Sequence, residues 1–202
     1  MTIEYDGTNF YGWQIQKKGR TVQGEIEAAF KKFTKNQKIT LIGSGRTDSG
    51  VHSFGQVANI HLNTEMSVDQ LIKAINGNLD KDVSITNCEI VKPDFHARFS
   101  AIKREYEYRI TDSFSPINRL YAWNIDYEVN KKVLDRCASQ LLGEHDFTEL
   151  SKNNEEIKNK ICNIYHSKWI VEDNFLIFRV IANRFLHHMV RYIVGMMIEI
   201  SR

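Results

Sequence analysis

The chain has 202 residues, of which 42% are hydrophobic and 26% charged, with a net charge of +2. That is enough for one large domain or two small ones with real cores, and too little charge to prove a nucleic-acid partner by itself. Cys88, Cys137 and Cys162 are odd in number, far apart and contain no CxxC pair. This excludes a disulfide framework or a zinc ribbon and points to reduced thiols in a cytoplasmic protein. The sequence has neither a signal peptide nor a long apolar run, which excludes export and membrane spanning.

In chain order, residues 1–6 read as a strand that starts with no lead-in, as at a clipped N-terminus. Tyr5 to Gln14 follows, where an Asp-Gly turn signal sits among four aromatics and reads as a core hairpin. Thr21 caps a helix whose apolar face is Val22, Ile26, Ala29, Phe30 and Phe33. Lys31, Lys32, Lys35 and Lys38 read as its solvated side, whereas Lys17, Lys18 and Arg20 form a separate basic cluster. Ile39 to Ile42 is a strand, and Gln56 to Leu62 alternates like another. Ser67 and Gln70 form a capping box for a helix with Val68, Leu71, Ile72 and Ile75 inward, ended at Asn76-Gly77-Asn78. Val83 to Val91 is a further strand.

Residues 92–100 have no clear period, and the boundary between halves is placed there, giving domains 1–93 and 94–202. Ile102 to Ile110 alternates, which puts Tyr106 and Tyr108 on one strand face. A strand near Tyr121 to Tyr127 precedes a helix capped by Asn130, with Val133, Leu134, Cys137, Leu141 and Leu142 inward and Gly143 as its stop. Ser151 to Lys160 is a polar loop. A hairpin follows, Ile161 to Val171 and Phe175 to Ala182, whose second strand is apolar on both faces and so central in its sheet. A last helix runs from about Phe185 to the end. The class is α+β, in two halves that share a central, mainly antiparallel sheet flanked by helices.

Between the strands of the first half lies Gly43-Ser44-Gly45-Arg46-Thr47-Asp48-Ser49-Gly50-Val51-His52. Glycine at that density gains nothing in regular structure. It fits a backbone that turns tightly or that lets something approach, with a guanidinium, a carboxylate and an imidazole between. A turn in which Asp48 bonds its own backbone and a reactive loop weigh evenly on this chemistry alone.

Gly45-Arg46-Thr47-Asp48-Ser49-Gly50-Val51-His52 resembles the GRTDxGVH signature of the tRNA pseudouridine synthase A family. Further stretches agree in order: Tyr5-Asp6-Gly7-Thr8 with Gly12-Trp13-Gln14, Asp94 to Ala101, Tyr106-Glu107-Tyr108, Leu141 to Phe147, and Asn183 to Arg191 with Val194-Gly195. The resemblance spans the chain. It departs at Asn78-Leu79-Asp80, where the family has Asn-Leu-Pro, and after the last helix, where family members continue into a Gly-Leu-Tyr-Leu-type strand. That second departure implies a truncated form, and as the alternative to an enzyme an RNA-binding module of impaired activity.

The resemblance implies the pseudouridine synthase fold, with two ferredoxin-like, RRM-like halves. It also implies isomerisation of uridine to pseudouridine at positions 38 to 40 of the tRNA anticodon stem-loop, by a homodimer. The implied reaction exchanges no electrons and imports no group, so neither cofactor nor metal is expected. Asp48 is the implied nucleophile and Arg191 its counter-charge, an arginine because that cation persists in a low-dielectric site. Arg46 fills the gap left by a flipped base, and Tyr106 stacks on the uracil. His96, Arg98 and Lys103, with Arg104, are expected on RNA phosphates. The glycines leave room for the RNA backbone. Trp13 is expected in the core, and His52, His187 and His188 are given no chemical part.

Overall fold

The computed structural model describes residues 1–34, 37–155 and 157–202. Lys35, Asn36 and Glu156 lie outside the described residues, so the basic set after the first helix is described only at Lys31, Lys32 and Lys38. The chain divides into two compact units, residues 1–101 and 102–202.

In the first unit, β1 (Thr2–Tyr5) leads to a single 3-10 turn at Gly7–Asn9 and then α1 (Val22–Phe33). There follow β2 (Ile42–Gly43), β3 (Ser53–Asn59), α2 (Val68–Asn76), β4 (Val83–Asn87) and the short α3 (Ala97–Ser100). The sheet order is β2-β3-β1-β4, with β1 antiparallel to both β3 and β4. The helices begin where their caps dictate. Thr21 Oγ1 accepts from Gly24 N at 3.3 Å. Ser67 Oγ accepts from Gln70 N at 3.3 Å while Gln70 Oε1 accepts from Ser67 N at 2.9 Å. Val22, Ile26, Ala29 and Phe30 of α1, with Leu71 and Ile75 of α2, bury against Ile3, Ala58, Val83 and Ile85 of the sheet. Each such large side chain contributes about 1.5–3 kcal/mol of burial.

Three strand expectations in this unit change. The strand expected over Ile39 to Ile42 reduces to Ile42–Gly43, because side chains of α1 satisfy its backbone: Leu41 N donates to Glu27 Oε1 at 2.9 Å, and Gln23 Nε2 donates to Leu41 O at 3.2 Å. The strand expected over Gln56 to Leu62 runs earlier, over Ser53–Asn59. The strand from Val83 ends at Asn87. α2 ends at Asn76 as expected; its C-cap Gly77 is right-handed at φ −66°, and Asn78 Nδ2 donates to the carbonyl of Ala74 at 2.9 Å.

The second unit runs β5 (Arg104–Thr111), β6 (Trp123–Asn124), α4 (Lys131–Gln140), β7 (Gly143–Asp146), β8 (Ile161–Glu172), β9 (Phe175–Ala182) and α5 (Met189–Ser201). Its sheet order is β6-β5-β9-β8-β7. The apolar β9 is central, as its composition requires. Asp173 and Asn174 join β8 to β9 at φ 47° and 67°, the two positive values of a type I′ hairpin turn. Asn130 Oδ1 caps α4 by accepting from Lys132 N and Val133 N, and Asn130 N donates to Ser201 O at 2.8 Å. Leu134 and Ala138 of α4 share a core with Met189, Ile193, Val194 and Met197 of α5.

The α+β class holds. At the level of hydrogen bonding, though, the strands group into a four-stranded and a five-stranded sheet, one in each unit, where one shared sheet was expected. The last helix starts at Met189, four residues after Phe185, and Leu142 is exposed and leaves the α4 face to Leu134, Ala138 and Leu141.

Candidate active site

The Gly43–His52 loop rests on the segment Tyr5–Trp13, which is not a hairpin but a cradle. Tyr5, Phe10 and Trp13 are buried beneath it. Thr47 is held from two sides: its hydroxyl lies 2.9 Å from the Tyr5 hydroxyl, and its carbonyl accepts from Trp13 N at 3.1 Å. Phe10 O accepts from Gly50 N at 3.3 Å and from Ser49 Oγ at 3.2 Å. At the far end His52 Nδ1 lies 3.1 Å from Gly7 N and 3.0 Å from Asp6 Oδ1. A ring nitrogen serves one of these at a time, accepting from Gly7 or, when it carries a hydrogen, donating to Asp6. At the near end Ser44 N donates to Val57 O at 2.8 Å, and Gln56 Nε2 donates to Gly45 O at 2.9 Å.

The residue between these anchors is Asp48. Its carbonyl accepts from Val51 N at 3.2 Å, which closes a four-residue turn. Gly50, third in that turn, has φ +77°, the value a type II turn requires there. So Asp48 opens a turn that main-chain atoms close. It is half-buried, while Arg46 two residues earlier is exposed.

The three glycines of the loop have different reasons. A Cβ on Gly43 would lie 2.6 Å from the Trp13 ring, so Gly43 serves internal packing. A Cβ on Gly45 or Gly50 would meet nothing within 4 Å, so the expected open approach is confined to these two. The close backbone contacts come from outside the loop, at Gly7, where a Cβ would lie 2.1 Å from Val51 O, and at Gly12 (φ +88°), where it would lie 2.6 Å from Thr47 O.

The segment without period carries α3. His96 is its N-cap, with Nδ1 accepting from Phe99 N at 3.4 Å. Ala97 N donates to Asn59 Oδ1 at 2.8 Å, which ties α3 to the end of β3. His96 stacks on Phe99 at 4.3 Å between ring centroids, and the Arg98 guanidinium lies 5.7 Å over that same ring. Phe99 is 76% exposed. Sequence reasoning passed over it, although its place between Arg98 and Ser100 in a chemistry-bearing stretch was the available signal.

In the second unit Tyr106 and Tyr108 share the inner face of β5. Tyr106 meets Phe185 edge-on at 4.9 Å, and Tyr108 meets Trp123 at 6.3 Å. Burial pushes the Tyr108 phenol up, with the Arg191 charge opposing. Arg191 is exposed in the first turn of α5. A cation there opposes the helix dipole, an unfavourable placement of about 0.3–1 kcal/mol. His188, the residue before α5, is left-handed at φ 62° and makes no side-chain capping bond. His187 and His188 precede the helix, so helical spacing does not fix their directions; their rings lie 4.1 Å apart. Lys103 is exposed. Arg104 is tethered, with Nη1 donating to Asn183 O at 2.8 Å.

A half-buried aspartate on a braced turn thus stands in an α+β frame of mainly antiparallel sheets. Residues 1–100 and 137–202 match the family model described as tRNA pseudouridine synthase. Proteins called tRNA pseudouridine synthase A are similar over nearly the whole chain. That of Lactobacillus delbrueckii subsp. bulgaricus is 40% identical over 100% of this chain and 79% of its own length. That of Anoxybacillus flavithermus is 41% identical, covering 100% and 82%, and that of Chlorobium limicola is 41% identical, covering 99% and 82%. This chain belongs to the tRNA pseudouridine synthase A family, and its fold is the pseudouridine synthase fold.

Proposed function

We propose that this protein isomerises uridine to pseudouridine in tRNA, at positions 38 to 40 of the anticodon stem-loop, with Asp48 as nucleophile. The reading is carried by the complete family signature standing on a turn that is braced at both ends, with Asp48 at its opening. In the reaction the N1–C1′ bond breaks, the uracil turns, a C5–C1′ bond forms, the C5 hydrogen leaves as a proton, and N1 takes up a proton. Atoms and electrons balance with no added reactant. A carboxylate can attach and later leave. A braced turn holds it for attack without reorganisation.

Arg191 is assigned the cation that favours the ionised carboxylate, and its exposed place in a helical turn that disfavours it accords with that role. Tyr106 is assigned to the uracil and Arg46 to the gap a flipped base leaves. His96, Arg98 and Lys103 are assigned to the RNA, with the His96 side chain acting through α3 and the Phe99 ring. Residues 1–93 form the half that carries the nucleophile, and residues 94–202 form the C-terminal half. The working form is a cytoplasmic homodimer with no cofactor. Among the described residues no helix is long and apolar enough to cross a membrane.

The test is tritium release from tRNA labelled at uracil C5. The wild-type chain is expected to release tritium, and Asp48→Asn to fall at least about a thousandfold, as for loss of a nucleophile. Undiminished release by Asp48→Asn would remove Asp48 from that role.

A further inference from the structure

Arg20 stands in a basic cluster in the sequence, beside Lys17 and Lys18. In the fold its guanidinium is surrounded by acids. Nη1 donates to Asp82 Oδ2 at 2.5 Å and Nη2 to Asp82 Oδ1 at 2.9 Å, a bidentate pair. Asp80 lies 2.9 Å away and Glu25 3.3 Å away. Three carboxylates around one guanidinium leave the neighbourhood negative, which disfavours a phosphate there. The Asp82 hydrogen bond, with burial opposing, raises the Arg20 pKa further still.

The same guanidinium lies 4.2 Å over the ring of Phe10, which is 1% exposed. Phe10 O is the acceptor for both Gly50 N and Ser49 Oγ, the two residues after Asp48. Arg20 O accepts from Tyr11 N at 2.8 Å, and Gly12 O accepts from Val22 N at 3.2 Å, so the cradle is fastened to the start of α1 on either side of Arg20. Asp82 also acts through its backbone: its carbonyl accepts from Asp6 N at 2.9 Å, and Asp6 reaches His52 at the other end of the loop.

We propose that the Arg20–Asp82 pair is a positioning device for the Asp48 turn, clamping Phe10 from outside so that its carbonyl holds Ser49 and Gly50. The pair touches no reacting atom and acts through Phe10. A bidentate guanidinium suits this because its plane fixes direction as well as distance, and the same plane lies over an aromatic face. The inference that it matters for turnover rests on the synthase reading; the inference that it holds the turn does not.

Two measurements on the full chain test it separately. The first is amide hydrogen exchange on the peptide covering residues 46–52 in Arg20→Met. Exchange at Gly50 and Val51 is expected to quicken at least tenfold, with less than a twofold change in α2 and α4. Unchanged exchange in the loop overturns the proposal, and so does a uniform rise across the first unit, which marks a general stabiliser.

The second is tritium release at a temperature well below melting. Here kcat is expected to fall at least tenfold with tRNA Kd within twofold. Arg20→Lys, which keeps the charge and loses the fork, should fall between wild type and Arg20→Met. Arg20→Met combined with Ser49→Ala should cost little more than the larger single change, because both act through Phe10 O. Additive losses, or a loss confined to tRNA affinity, overturn it. If the wild type releases no tritium the synthase reading falls, and the exchange result still decides the positioning claim.

Discussion

α2 and α5 begin in opposite ways. At α2 every local rule is met: Ser67 and Gln70 exchange side-chain bonds with each other's backbone, and Asp69 places a negative charge in the first turn. At α5 the residue before the helix is left-handed, the first turn lacks an acid, and Arg191 opposes the dipole. Both helices are stable because their apolar faces are buried; α5 buries Met189, Ile193, Val194, Met197 and Ile198. On the proposed function, the difference lies in what the two starts are for. The one that satisfies itself ends a loop, whereas the one that forgoes local stability presents a cation, as sites that break local rules tend to do.

The sharpest break of this comparison uses one substitution at two glycines. Gly12→Ala forces a Cβ onto Thr47 O at a φ of +88°. It is expected to cost about 2–4 kcal/mol and to take most of the activity with it, since Thr47 precedes Asp48. Gly45→Ala meets nothing within 4 Å, and its stability should stay within about 0.5 kcal/mol of wild type. Urea unfolding of both variants measures this. Equal losses would mean that the cradle does not press on the loop as described.

Next in size is Arg191→Gln. Loss of the cation is expected to slow tritium release about a hundredfold, or about 2.7 kcal/mol, while stability stays level or rises by about 0.3–1 kcal/mol as the dipole is relieved. A loss of stability in step with activity would make Arg191 structural and erase the contrast with α2. Ser67→Ala is the mirror case. It should cost about 1 kcal/mol and leave kcat unchanged in the folded protein, as chemical denaturation beside the tritium assay would read.

What could be read from the chain follows the same division. The caps at Thr21, Ser67 and Asn130, the Asp173-Asn174 turn and the central place of β9 are local in cause, and local patterns announce them. β7 is different: its four residues are all exposed, so no apolar alternation marks it, and its ladder with Ile161–Ile164 alone makes it a strand. β6 consists of two residues paired in parallel with Ile110 and Thr111, too short for any period. Asp48, Arg46 and Tyr106 stand out in the sequence because their motifs are contiguous, and their proposed roles rest on those motifs. The bracing of Asp48 was not, because Arg20 meets Asp82 across 62 residues of sequence. No spacing rule reaches that far. His96 Nδ1 is engaged at the start of α3, a short helix that the stretch did not signal.

The smallest effect concerns Arg179, the ordinary counterpart of Arg191. On β9 it stands directly across from Glu107 of β5, and Nη2 donates to Glu107 Oε1 at 2.5 Å. Burial alone would push the Glu107 carboxyl up; the Arg179 hydrogen bond and charge, joined by Arg109, outweigh it and hold the carboxyl below its ordinary range. A carboxyl lowered in the folded chain stabilises it at every pH above the ordinary carboxylate value of about 4.3. That stabilisation disappears as pH falls through the folded value. Because both side chains are partly exposed, the pair contributes about 0.5–1 kcal/mol. Wild type should therefore exceed Glu107→Gln by that amount in urea at pH 7, and the gap should close as the pH is lowered below about 4. Added salt should narrow it too, since the pair lies within reach of screening ions. A gap that holds constant in acid would mean that glutamine is simply packed less well at this strand position. Arg179 would then no longer serve as the example of a cation whose partner explains it.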